Sequence, residues 1–125
     1  RAGDAAQART ALDALPADLA GDDRATRLRN QLQLAQALDG AADAQSLRQR
    51  IATEPNDWEA RDLLGVRLLL GDDPAAGLEQ FLYILQHQRD WHDGQAKKRL
   101  LAAFQVLDDA ALVSSYRRSM ASLLF

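Results

Sequence analysis

The stretch Pro55–Gln88, P-N-D-W-E-A-R-D-L-L-G-V-R-L-L-L-G-D-D-P-A-A-G-L-E-Q-F-L-Y-I-L-Q-H-Q, leaves room for one kind of local structure: two helices joined by a tight turn. Asp57 is placed to cap the first helix, because its carboxylate can accept from a backbone N–H that has no partner within the helix. Trp58 opens an apolar face that continues through Leu64, Val66 and Leu68. Gly71 ends that helix, and the expectation is a left-handed backbone there, which glycine adopts at little cost. Pro74 falls in the first turn of the next helix, where a missing N–H is not needed. Leu78, Phe81, Leu82 and Leu85 follow at i, i+3, i+4 and i+7, one stripe of a helix. Gly65 and Gly77 are small enough to let the two helix backbones come close.

These residue types resemble a tetratricopeptide repeat. Leu64-Gly65 stand at its Leu-Gly pair, Gly77, Phe81 and Ile84 at its small, aromatic and apolar positions, and Pro55 where a preceding unit ends. One such helix pair cannot bury its apolar face alone, so neighbours are expected on both sides. Residues 4–14 form helix up to Leu15-Pro16, and residues 17–22 turn at Gly21. Residues 23–38 read as a helix with Leu28, Leu32, Ala35 and Leu38 on one face, and 43–53 as its partner with Leu47 and Ile51 inward. Leu34-Ala35 take the place that Leu64-Gly65 hold thirty residues later. Asp93 is expected to cap a helix over 95–107 with Ala96, Leu100, Ala103, Phe104 and Leu107 on its core face. Asp108-Asp109 start a last helix, 110–124, carrying Leu112, Val113, Tyr116, Met120, Leu123 and Leu124. The fold class is all-α: a tetratricopeptide-like array of about seven antiparallel helices in one domain, with units near 1–16, 17–55, 56–89 and 90–125.

Composition agrees. The 125 residues are 47% hydrophobic but 6% aromatic, so the core is mainly Ala and Leu, which favour helix. No run approaches the roughly 20 apolar residues of a membrane helix, and the absence of cysteine removes disulfides and thiol chemistry. Net charge is −3, which disfavours nucleic acid as a partner. The charge is uneven. Residues 56–92 carry three positive and seven negative side chains, while 93–125 carry five positive and three negative.

A search for chemistry finds little. His87 and His92, five residues apart, lack carboxylates at metal-ligand spacing and read as surface histidines. Gly71-Asp72-Asp73-Pro74 lacks the alternating oxygen ligands of a calcium loop. There is no phosphate-binding glycine loop and no nucleophile elbow, so no catalytic, cofactor or metal residue is assigned. Trp58 and Trp91 read as packing residues. So does Tyr116, its hydroxyl finding a partner, while one of Arg117 and Arg118 pairs with an acidic residue of the preceding unit.

The runs D-G-Q-A-K-K-R-L-L-A-A-F (93–104) and Y-R-R-S-M-A-S-L-L-F (116–125) resemble the C-terminal end of the bacterial chaperedoxin family, as do the P-N-D-W-E-A-R-D-L-L, G-L-E-Q-F-L-Y-I-L and A-L-D-A-L-P segments. Asp93, Gly94, Gln95, Tyr116, Arg117 and Arg118 match most specifically. The resemblance implies the helical tail of a cytoplasmic co-chaperone that also has an N-terminal thioredoxin-fold domain. Such a tail holds unfolding clients and hands them to the chaperonin and to Hsp70. Candidate protein-binding residues are Arg29, Leu32 and Gln36 on one first-of-pair helix and Glu59, Asp62, Val66 and Leu69 on the next, all expected on the concave face. The C-terminal Arg117, Arg118, Leu123, Leu124 and Phe125 form a candidate docking end. The alternatives are a scaffold for one fixed partner or a dimerisation module.

Overall fold

The computed structural model describes residues 23–124, which form six α-helices, one 3-10 turn and, among these residues, no strand. The helices are α1 (Asp23–Ala37), α2 (Ala44–Thr53), α3 (Trp58–Leu70), α4 (Pro74–His87), α5 (Gln95–Val106) and α6 (Ala110–Leu124); Trp91–Asp93 make the 3-10 turn. The all-α helical array expected from the residue pattern is what forms. The predicted helix over 4–14 and the turn at 17–22 lie outside the described residues.

The central pair follows its local signals. Asp57 caps α3 by accepting from Ala60 N–H at 3.1 Å, and Asp73 caps α4 through Ala76 N–H at 3.1 Å with Pro74 in the first turn. Asp43 and Asp109 cap α2 and α6 in the same way, through Ser46 and Leu112. The most extensive helix contact among the described residues is α3 on α4. A Cβ on Gly77 would meet the Gly65 carbonyl oxygen at 2.6 Å and the Leu69 nitrogen at 2.8 Å, so only glycine permits this backbone approach. A Cβ on Gly65 would meet the Phe81 ring at 2.6 Å.

Two expected backbone details differ. Gly71 has φ −98°, not a left-handed value; the glycine serves there by its lack of a side chain, because a Cβ would meet the Arg67 carbonyl oxygen at 2.9 Å. Asp93 does not cap α5. Gly94, left-handed at φ +78°, precedes that helix without a side-chain cap, and His92 and Asp93 also have positive φ.

The main core joins Leu34 of α1, Val66 and Leu69 of α3, Leu78, Phe81, Ile84 and Leu85 of α4, Leu100, Ala103 and Phe104 of α5, and Val113 of α6. Each large apolar side chain buried here stabilises the fold by about 1.5–3 kcal/mol. A smaller cluster of Leu47, Ala60 and Leu64 fixes α2 to α3. Trp58 and Trp91 both pack against the main core, as their residue type suggested.

The ends of the array depart from simple pairing. The α1 helix packs on α5 and, less extensively, on α3, with at most marginal contact with α2. Its inward stripe is therefore not the one periodicity suggested: Leu28 is 42% exposed while Leu34 is fully buried. At the other end α6 lies against α4 more closely than against α5.

Candidate protein-binding groove

Between α3 and α5 the chain buries an ion pair. Asp62 is 3% exposed and accepts from Arg99 Nε at 2.9 Å and from a terminal Arg99 nitrogen at 3.1 Å, while Gln95 donates its amide to the same carboxylate at 3.0 Å. Both carboxylate oxygens are satisfied, the condition for burying a charge without a large penalty. Asp62 thus faces α5. Val66 and Leu69, one and two turns further along α3, belong to the main core at 0% and 4% exposure. The expectation that these three residues present themselves on an open concave face is corrected by this burial: α5 covers Asp62 through Arg99 and Gln95, and Val66 and Leu69 share one core cluster with residues of α1, α4 and α5.

The other candidates on the first helices are more accessible. Glu59 is exposed, with a 3.4 Å contact to Arg50. Arg29, Leu32 and Gln36 are half-buried on α1. At the C-terminal end, Leu123 and Leu124 pack partly against the core, and Arg89 donates to the Leu123 carbonyl, which seats the end of α6. Phe125 lies outside the described residues. Tyr116 packs as expected, and its hydroxyl donates to Glu79 at 2.7 Å; burial first, then this carboxylate, push the phenol up to about 12. Among the described residues neither neighbouring arginine pairs with an acid as expected. Arg117 sits over the Phe104 ring at 5.5 Å, and Arg118 donates to Ser114 Oγ at 3.3 Å.

Among the surface concavities is a groove of about 570 Å³, walled by Asn30, Gln33 and Leu34 on α1, by α5, and by Arg117 on α6. Its apolar floor comes from Leu34, Leu101, Ala102 and Phe104, and Leu101 is 45% exposed. Lys98 and Arg117 supply positive charge, Arg99 being paired with Asp62, and no carboxylate among the described residues lines it. An apolar floor with convergent amides and cations can take a polypeptide segment, with side chains seated below and backbone carbonyls or acidic groups met at the rim. Periodicity did not single out this groove, because its walls come from helices far apart in sequence.

A second surface feature is an aromatic stack. Arg61 lies over the Tyr83 ring at 3.6 Å and bonds Gln80 at 3.0 Å; Tyr83 stacks on His87 at 4.0 Å and approaches Trp58 at 6.0 Å. The Tyr83–His87 spacing of four was the available signal for it. His87 also makes a 2.8 Å ring contact with the Tyr83 carbonyl. Among the described residues no cluster of His, Asp and Glu could hold a metal, and no helix is long and apolar enough to cross a membrane.

A family model described as a tetratricopeptide repeat matches residues 36–125. No curated protein and no solved structure matches the chain significantly.

Proposed function

The chain belongs to the tetratricopeptide repeat family, and from that premise we propose that it is the protein-interaction tail of a cytoplasmic, thioredoxin-like co-chaperone that holds unfolding clients and passes them to chaperonin and Hsp70 systems. Repeat domains of this kind are protein–protein interaction modules and generally non-catalytic. The finer reading draws on the resemblance of 93–104 and 116–125 to the chaperedoxin tail. The observation that carries it is the groove along α5, where Leu101 and Phe104 lie beside Lys98 and Arg117. A surface that offers apolar contact and charge without a shaped, enclosed pocket suits many extended segments better than one small molecule.

The test is suppression of light scattering by a chemically unfolded model enzyme diluted into buffer with the full chain. Suppression that falls in Leu101→Asp and Lys98→Glu supports client holding at the groove. No suppression, together with stoichiometric capture of one folded protein, supports a scaffold, and a mass that rises with concentration supports a dimerisation module.

A further inference from the structure

We infer that α1 is an exchangeable occupant of the α3–α5 seam, and that the seam is a docking site for an amphipathic helix bearing Arg, Leu and Leu at i, i+7 and i+11. This goes beyond the client-holding reading, whose groove needs α1 seated, whereas the seam opens only when α1 leaves. Three observations converge. The family match begins at residue 36, so nearly all of α1 lies outside the matched repeats. The helix sits on α5 and α3 and not as a hairpin on α2, the position of an added helix and not of a repeat partner. It is less deeply held than the central pair: of its fifteen residues only Ala25 and Leu34 are buried, against six in each of α3 and α4, although α2 and α6 bury one each. Elements with few buried apolar contacts open at lower free energy than the rest of a fold.

The contacts of α1 define what the seam recognises. Leu34 fills a socket in the core cluster, and Leu38 packs beside it. Seven residues before Leu34, Arg27 donates to the Val106 carbonyl at 3.0 Å and pairs with Asp108. That carbonyl is one of the last of α5, where the helix dipole and the absence of an intrahelical donor favour a cation. A spacing of seven is two helical turns, so Arg27 and Leu34 share one face. The seam therefore reads a guanidinium at the end of α5 and leucines along it. The 39–43 connector suits a hinge: Gly40 is at φ +71°, while Arg67 holds the Ala41 and Ala42 carbonyls at 3.0 and 2.8 Å and would keep its place when α1 leaves.

The test uses the full chain and a fluorescent peptide of residues 23–38. Two variants loosen α1 differently: Leu34→Ala empties the socket, and Arg27→Glu repels Asp108 without touching the core. An occupied seam weakens apparent affinity by the fraction of chains with α1 displaced, so both variants should bind the peptide about tenfold or more tightly than the native chain. A peptide with Ala at both Arg27 and Leu34 should lose that binding. By hydrogen exchange, α1 amides of the native chain should exchange well before those of α3 and α4. Equal affinity of native chain and Arg27→Glu, or α1 exchange only with global unfolding, overturns the inference. Because the probe is the chain's own helix, these results stand or fall separately from client holding.

Discussion

Replacing Asp62 by Asn isolates the strongest long-range polar contact in the described residues. The substitution keeps shape and removes one charge, leaving Arg99 and Gln95 without their carboxylate. The Asp62 side chain is 4% exposed and that of Arg99 15%, so water reaches neither well. Breaking a buried pair by removing one partner costs about 3–5 kcal/mol. Arg99 also lines the open groove and can lean toward solvent, which places the cost near the lower end, about 3 kcal/mol. That is a large share of the roughly 5–15 kcal/mol that holds an ordinary domain folded. It corresponds to a fall in Tm of roughly 10–20 °C for about 100 residues. Thermal and urea unfolding of the full chain, followed by circular dichroism at 222 nm, reads both. The double variant Asp62→Leu with Arg99→Met should recover most of the loss, since an apolar pair of similar volume can replace a buried ion pair. A cost below about 1 kcal/mol for Asp62→Asn, the range of exposed pairs, would refute the reasoning. Lost client binding at unchanged stability would restore Asp62 to the binding face.

Three other outcomes follow from the geometry. Gly77→Ala should cost about 3 kcal/mol, because its Cβ meets backbone atoms that cannot turn aside, and Gly65→Ala less, because the Phe81 ring can tilt; paired urea curves give the order. The bond from Arg50, and secondarily the Ala60 N–H, hold the Asp57 carboxyl below its usual 3.8 against the opposing effect of burial. Its contribution is therefore present above that value and lost as pH falls through the lowered folded value. Asp57→Ala should cost about 1 kcal/mol at pH 7 and nearly nothing in strong acid, as measured by denaturation at the two pH values. The Tyr116 phenol, raised from 10.0 to about 12, stabilises the fold fully below 10.0 and loses that contribution as pH rises through about 12. Ultraviolet titration at 295 nm should show a late-ionising phenol that disappears in Tyr116→Phe.

What could be read from the sequence was mostly local. Asp57, Pro74, Gly65, Gly77 and Phe81 act within one helix pair, and their meaning is fixed by spacing and residue type. The failures share a cause, which is that distant elements decide them. Asp62 and Arg99 are 37 residues apart, and nothing in either helix alone says that they meet. Val66 and Leu69 are expected on an open face, but both lie in the main core with residues of α1, α4 and α5. The inward face of α1 could not be chosen from its periodicity, because its polar and apolar residues are weakly segregated and its docking partner is α5. Asp93 is the expected cap of α5, but the tight turn after Trp91 puts the left-handed Gly94 at that position instead.

The groove as the client-binding surface is tested most directly by site-specific photocrosslinking. A photoreactive phenylalanine is placed singly at Gln33, Leu101 or Gln105, exposed groove positions, and at Gln45 or Arg48, exposed on α2. Each full-length variant is mixed with a chemically unfolded model enzyme and irradiated. Adducts from the three groove positions and none from α2 are the predicted result. Equal adducts from both faces, or adducts from α2 alone, would contradict it.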